Sequence, residues 1–349
     1  MTRPVCTRAG LAACPTIIAG CTAPLDYMHP EGPAAHALAS LGWFTLALLS
    51  AVTVVVCALI LWVALRRRGT LAEHAPVDLD DGKNWIYVGG LAIPIAVLAI
   101  IFVSSLQTLA ANPMACLDQQ GPAGDRYCVA GVPQIRVTGH QWWFEAEYLY
   151  EETALDVNAP TEIHIPVGRP IDIELRTRDV IHSFWLPKLH GKVDLVPGLL
   201  NRIRIQADKP GIVRGTCGEY CGLQHAHMNL QVVAQSAEEF NDWLSAQRAP
   251  AVQPDSEEAR RGLALFEGGP CVACHTIRGT AAHGTIGPEL THLASRRTIA
   301  GGSLENNTAN LAAWITHPQS LKPGAGMPDM AVFQGAELRA LVTYLNILK

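Results

Sequence analysis

Charge is scarce in this sequence. Only 16% of its 349 residues are Asp, Glu, Lys or Arg, against 49% hydrophobic, where an average soluble protein carries roughly 25% charged. That deficit places part of the chain in a membrane. Basic clusters are few as well: the net charge is -5, and no Lys/Arg-rich run of the kind that follows a nucleic-acid backbone is present, so nucleic acid is not an expected partner. The ten cysteines share no common spacing, which argues against a single disulfide framework and leaves local constellations to be read one by one.

Two segments lack charge altogether. Residues 38–65, LASLGWFTLALLSAVTVVVCALILWVAL, and residues 85–109 each exceed the ~20 apolar residues that a helix needs to cross the hydrocarbon core. Arg66, Arg67, Arg68 and Lys83 lie in the loop between them, which the positive-inside rule assigns to the cytoplasm. The expectation is a transmembrane hairpin with both ends on the outer side. Trp43, Trp62 and Trp85 suit interfacial anchoring, Pro94 a kink and Cys57 a packing role. Ahead of the hairpin, Arg3 and Arg8 precede a short apolar stretch ending in Ile18-Ala19-Gly20-Cys21. This is similar to a bacterial lipoprotein signal over residues 1–21, with Cys21 as the lipidated residue; an uncleaved tail is the alternative.

Beyond the second segment the period changes. Ile171, Ile173 and Leu175 alternate with Asp172, Glu174 and Arg176, a two-residue repeat of strands with one buried face. Several short strands with Pro/Gly turns over about a hundred residues, to roughly Gln235, predict a β-sandwich. RAPAVQPDS then reads as a linker. Asp255 and Glu258 have capping-box spacing, Ala259, Leu263 and Phe266 share one helical face, and Leu338, Leu341, Val342 and Leu345 share another, so a helical unit closes the chain. The expected division is 22–111 for the hairpin, 112–248 for the sandwich unit and 249–349 for the linker and helical unit.

Within that unit stands Cys271-Val272-Ala273-Cys274-His275. C-x-x-C-H is the attachment sequence of haem c: two thiols bond the haem vinyl groups and the histidine is an axial ligand. No second C-x-x-C follows, which weighs against the alternatives of a zinc site or redox dithiol. LKPGAGMPDM offers Met327 as the second axial ligand, in a stretch that resembles the KPG-x-x-MP segment of small cytochromes c; Met330 reads as a packing residue, and His283, His292 and His317 are fallback ligands.

The densest cluster is CGEYCGLQHAHM, Cys217 to Met228. Cys217, Cys221, His225 and Met228 follow C-x3-C-x3-H-x2-M, and thiolate, thioether and imidazole together favour copper over hard cations. A Cys217–Cys221 disulfide and a zinc site are the alternatives. A second histidine, His182 in DVIHSFWLP, sits at a strand end from which a sandwich loop can approach the cluster.

From the first apolar segment to about Gln235 the chain resembles subunit II of haem-copper cytochrome c oxidases, on the stretches DVIHSFWLPKLHGKVDLVPGLLN and CGEYCGLQHAHM; the remainder is similar to the cytochrome c domain fused to that subunit in caa-type bacterial oxidases. The resemblance implies a multidomain membrane protein: a two-helix transmembrane hairpin, a cupredoxin-like β-sandwich and an all-α cytochrome c domain. It implies a dinuclear CuA centre bridged by Cys217 and Cys221, with His182 and Met228 on one copper and His225 and the Glu219 carbonyl on the other. The Glu219 carboxylate is implied as a magnesium ligand at the subunit I interface, an ion pair with an arginine being the alternative. Trp142, in GHQWWFEAEY, matches the tryptophan through which electrons enter; it reads alternatively as a surface aromatic, or as facing the fused haem domain. Trp143 and Phe144 read as packing residues, and His227 as a surface or hydrogen-bonding histidine.

The implied role is the electron-input subunit of a terminal oxidase in the bacterial inner membrane, with both redox domains on the periplasmic side. Its implied partners are subunit I, subunit III, a cytochrome c donor and membrane lipid; oxygen reduction and proton translocation belong to subunit I. A CuA subunit of a related NO reductase and a periplasmic copper-delivery protein are the alternatives. One departure stands out. No glutamate follows Glu73 ahead of the second segment, where many relatives place one for proton uptake; Asp80 and Asp81 are substitutes or solvated loop charges. Cys116 and Cys128 are additional, as a disulfide or two free thiols.

Overall fold

The computed structural model describes residues 25–66, 82–111, 134–150 and 153–349. The signal-like segment with Cys21, Arg67 and Arg68, Asp80 and Asp81, and Cys116 and Cys128 lie outside the described residues.

Two long apolar helices come first among the described residues. Helix α1 (Pro33–Leu65) begins with proline at its first position, where the missing N–H costs no helical hydrogen bond. A π-helical stretch, Trp85–Ala92, runs into α2 (Ile93–Ala111). Pro94 therefore does not end the helix: the wide turn sits immediately before it, one of the ways a helix absorbs a residue that cannot donate. The most apolar windows of both helices are unburied within the chain, which is the surface expected of segments solvated by lipid. Arg66 lies over the Trp62 ring at 5.1 Å, and Cys57 is exposed on α1. The first turns of α1 are different, because Ala34, Ala35 and Ala39 are buried and the Ala35 N–H donates to Leu189 O in the next unit. The hairpin is thus seated on the sandwich.

Among the described residues ten strands make that sandwich: β1 (Gln134–His140), β2 (Trp143–Tyr150), β3 (Thr153–Asn158), β4 (Glu162–Pro166), β5 (Ile171–Thr177), β6 (His182–Trp185), β7 (Val193–Leu195), β8 (Asn201–Ile205), β9 (Gly211–Cys217) and β10 (Asn229–Gln235). They form two five-stranded sheets, ordered β3-β2-β1-β5-β8 and β4-β10-β9-β6-β7. Side chains such as Val137, Phe144, Ile173, Phe184 and Val232 fill the space between them. The two-residue alternation on β5 has one departure. Ile171, Ile173 and Leu175 are fully buried as expected, yet Asp172 and Glu174 on the opposite face are buried too. Arginine explains it: Arg204 Nε meets Asp172 at 2.7 Å, and Arg136 and Arg202 reach Glu174 at 3.3 and 3.4 Å. Cross-strand charge pairs and arginine stems cover that outer face.

A helix unforeseen from the sequence follows, α3 (Ala237–Arg248), started by a Ser236/Glu239 capping box. It lays Trp243 flat on His164, ring centroids 4.0 Å apart. The closing unit holds α4 (Glu257–Gly268), α5 (Thr308–Thr316), α6 (Pro318–Leu321) and α7 (Gly335–Ile347). The α4 cap is Ser256, whose Oγ accepts the Ala259 N–H at 3.1 Å, not Asp255. This unit is helical with one addition, a short ladder of β11 (Thr298–Ile299) and β12 (Leu304–Glu305) that closes the turn Ala300–Gly301–Gly302.

Candidate metal centre and haem site

The sulfur-rich cluster forms where three strand ends meet. Strand β9 delivers Cys217, β6 delivers His182, and a single 3-10 turn, His225–His227, returns the chain to Met228 and β10. Cys217 Sγ lies 3.8 Å from Cys221 Sγ, 3.9 Å from His182 Nδ1 and 3.2 Å from the Glu219 carbonyl oxygen. Cys221 Sγ lies 3.6 Å from His225 Nδ1 and 3.8 Å from Met228 Sδ. All six expected ligands therefore converge. His182, Cys217, Cys221 and Met228 are buried, and both cysteines are free thiols.

Electrostatics favours a cation here. Burial raises the Cys217 thiol, but hydrogen bonds from His182 and neighbouring backbone outweigh it and bring the group down to about 7. Burial and the adjacent Cys217 charge push Cys221 up to about 12. The two titrate as a pair, and a metal that removes both protons resolves their conflict. Burial lowers His182, yet Asp179 and Cys217 together raise it. Asp179 was not foreseen: its Oδ1 receives His182 Nε2 at 2.8 Å, which leaves Nδ1, on the Cys217 side, available to a metal. A largely buried cage of two sulfurs, a thioether, two imidazoles and one carbonyl oxygen, with His225 and Glu219 at its half-buried rim, fits soft copper chemistry.

Trp142 occupies the turn between β1 and β2. It is buried, with its Nε1–H donating to Cys221 O at 3.0 Å, and Gln141 Nε2 donates to the same oxygen at 2.8 Å. It is not a surface aromatic. Gly324 of the closing unit lies against its ring. Phe144 is in the core, and Trp143 stacks on His140 at 4.3 Å. His227 Nδ1 lies 2.8 Å from Gln224 Oε1. The Glu219 carboxylate is exposed, 3.5 Å from Lys192 and not beside an arginine.

In the closing unit, a 3-10 turn (Pro270–Ala273) holds Cys271 and leads into Cys274 and His275. His275 Nδ1 donates to Pro288 O at 2.7 Å, which fixes the tautomer with Nε2 unprotonated and available to a metal. Burial keeps this imidazole neutral by lowering it. Gly287 makes the ring's seat: a Cβ there would stand 2.6 Å from His275 Cε1. The residues fit an axial haem ligand. Gln319 Nε2 donates to Ala325 O and Met327 O at 2.7 and 2.8 Å, shaping the Met327 loop, whereas Met330 packs on the hydrophobic cluster. His292 is engaged at both ring nitrogens, by Lys349 O and Ala249 O, and His317 Nδ1 by Thr316 Oγ1.

The fold and the two sites define a membrane-anchored redox protein that joins a copper-type sandwich to a cytochrome c unit. Residues 149–236 match the periplasmic domain of cytochrome c oxidase subunit II, and residues 259–349 match cytochrome c. Cytochrome c oxidase subunit 2 of Alkalihalophilus pseudofirmus is 33% identical over 325 residues, covering 93% of this chain and 91% of that protein. The Bacillus subtilis subunit 2 is 27% identical over 356 residues, covering 97% and 96%. A crystal structure of the periplasmic domain of subunit II from Bradyrhizobium japonicum is 28% identical, covers 33% of this chain and 93% of that one, and superposes with a TM-score of 0.31. The chain belongs to the cytochrome c oxidase subunit 2 family, in the form that carries a cytochrome c domain. Those domains imply copper and haem c as its cofactors, and an electron-input role in an oxidase complex.

Proposed function

We propose that this chain carries electrons from cytochrome c, through a covalent haem c and a dinuclear copper centre, to subunit I, where oxygen is reduced and protons are translocated. Bound at these residues, the haem and the copper pair supply one-electron redox chemistry. The chain's own residues hold and connect them. Cys271 and Cys274 would anchor the haem, and His275 and Met327 would ligate its iron. Cys217, Cys221, His182, Met228, His225 and the Glu219 carbonyl would hold the copper, with Asp179 orienting His182. The exposed Glu219 carboxylate is assigned to magnesium at the subunit I surface, beyond the chain described here.

One observation carries the reading: the loop leading to Met327 rests on Trp142, whose indole is hydrogen-bonded to the backbone of Cys221. The loop that carries Met327 and the loop that carries Cys221 meet at one aromatic side chain, which supports a route between the two sites. The proposed topology puts both redox domains outside, with Arg66–Arg68 and Lys83 inside, a signal at 1–21 and domain limits at 22–111, 112–248 and 249–349. Oxygen uptake by the complex purified through this subunit and fed reduced cytochrome c tests the proposal. Uptake abolished by Cys217→Ser is expected; undiminished uptake in that variant refutes the copper route.

A further inference from the structure

One lysine is buried where the two redox domains meet. Lys322 opens the K-P-G-A-G-M loop and is 3% exposed. Its ammonium donates to Trp142 O at 2.9 Å, His227 O at 2.9 Å and Ala300 O at 2.8 Å, with Ser303 Oγ at 3.4 Å. An ammonium has three N–H bonds, and three carbonyls use all of them. Among the described residues no carboxylate forms an ion pair with it, so the amine is held chiefly by three backbone carbonyls, with the Ser303 hydroxyl at the edge. Those carbonyls come from three places: the Trp142 turn, the copper-ligand loop one residue before Met228, and the β11–β12 turn of the haem domain.

The surroundings are shaped to the same contact. Ala300, Gly301 and Gly302 all have positive φ, at 55, 66 and 77°. A Cβ on Gly301 would stand 2.3 Å from Trp142 O and 2.7 Å from Lys322 Nζ, and one on Gly302 2.9 Å from Asn229 Cβ. Backbone therefore meets backbone at a distance that only glycine permits. Cross-links flank the lysine: Asn229 N–H donates to Gly301 O at 3.0 Å, Ser303 Oγ to His227 O at 2.7 Å and Gln224 Nε2 to Pro323 O at 2.8 Å.

We propose that Lys322 is the positioning residue that clamps the haem domain onto the copper domain, holding Trp142 between them as an internal element that external donors do not reach. A hydrophobic interface would tolerate sliding, whereas three carbonyls converging on one ammonium define a single register. The consequence for electron transfer rests on the function proposed above; the clamp itself does not.

Amine acetylation of the intact complex tests the clamp without a mutation. Lys322 should react at least about tenfold more slowly than Lys209, which is 64% exposed at its side chain; equal rates would overturn the clamp. In Lys322→Met, hydrogen exchange at the interdomain amides of Asn229 and Arg297 should accelerate about tenfold or more while the sandwich strands stay protected. Haem and copper content should hold, and haem-to-copper transfer should slow about tenfold or more. Unchanged exchange and transfer with both cofactors present would also overturn it. Cys217→Ser separates the two claims. Persistent oxidase activity in that variant defeats the electron-transfer reading and leaves the labelling result standing, whereas free labelling of Lys322 beside a dead Cys217→Ser defeats only the clamp.

Discussion

Trp142 Nε1 donates to the carbonyl oxygen of Cys221 at 3.0 Å, and the Trp142 carbonyl in turn accepts from Lys322 of the haem domain. One residue thereby touches the copper-ligand loop with its ring and the haem domain with its backbone. Trp142→Phe keeps an aromatic ring and removes the N–H. The expected cost to folding stability is about 1 kcal/mol, the typical net worth of a hydrogen bond. Transfer from haem to copper should fall far more than that modest loss suggests. Flash-initiated electron transfer in the complex, with copper and haem content verified, measures it.

Asp179 is the residue on which His182 depends. Its carboxylate accepts His182 Nε2 at 2.8 Å and also the amides of Gln141 and Val180, both at 2.7 Å. Asp179→Ala should lower copper affinity by roughly 10–100-fold, the usual cost of removing the group that orients a ligand. Competition between the purified chain and a copper chelator checks this; wild-type retention of copper would show that the cage holds His182 unaided.

How much of this was legible beforehand divides along physical lines. Candidate ligands such as Cys217, Cys221, His225 and Met228 are readable because a short loop brings them together, and spacing within twelve positions carries the geometry. His182 needed the sandwich topology, in which β6 pairs beside β9. Asp179 was missed although it stands three residues before His182, because a lone loop aspartate looks like any solvated charge. Lys322 reads in the sequence only as part of the K-P-G-x-x-M-P pattern. Its partners are backbone carbonyls, which leave no trace in a sequence. Helix α3 has a readable signal, the Ser236/Glu239 capping box, placed directly where the last strand of the sandwich ends.

The contact between the domains also contains an acid. Burial raises the Glu162 carboxyl, but hydrogen bonds from His164 and from the Arg297 N–H more than offset this and hold it below its usual 4.5. His164 Nε2 and Arg297 N are each 3.0 Å away, and Arg296 adds positive charge nearby. Since the folded value lies below the unfolded one, the unfolded chain binds the extra proton between them. The stabilisation is therefore complete above the ordinary carboxylate value and lost as pH falls through the lowered one. Wild type should exceed Glu162→Gln in denaturation midpoint near neutrality, and the gap should close on acidification below about 4. A gap independent of pH would assign the difference to packing.

Gly287 gives the most local test of the haem site. A Cβ at this position would lie 2.6 Å from His275 Cε1, 3.0 Å from Nδ1 and 3.2 Å from Nε2, closer than the ring can tolerate in place. In Gly287→Ala the imidazole has to shift, and the hydrogen bond from Nδ1 to Pro288 O that sets its tautomer stretches or breaks. Haem attachment depends on Cys271 and Cys274 and should survive. Axial ligation, proposed above for the histidine, should weaken, because a misdirected ring loses both its aim and the polarisation supplied by the carbonyl. The expected signature is full covalent haem content with an altered visible spectrum and a shifted haem potential, while copper binding in the sandwich is unchanged. A wild-type spectrum would mean that the 284–288 loop yields to the methyl group before the ring does.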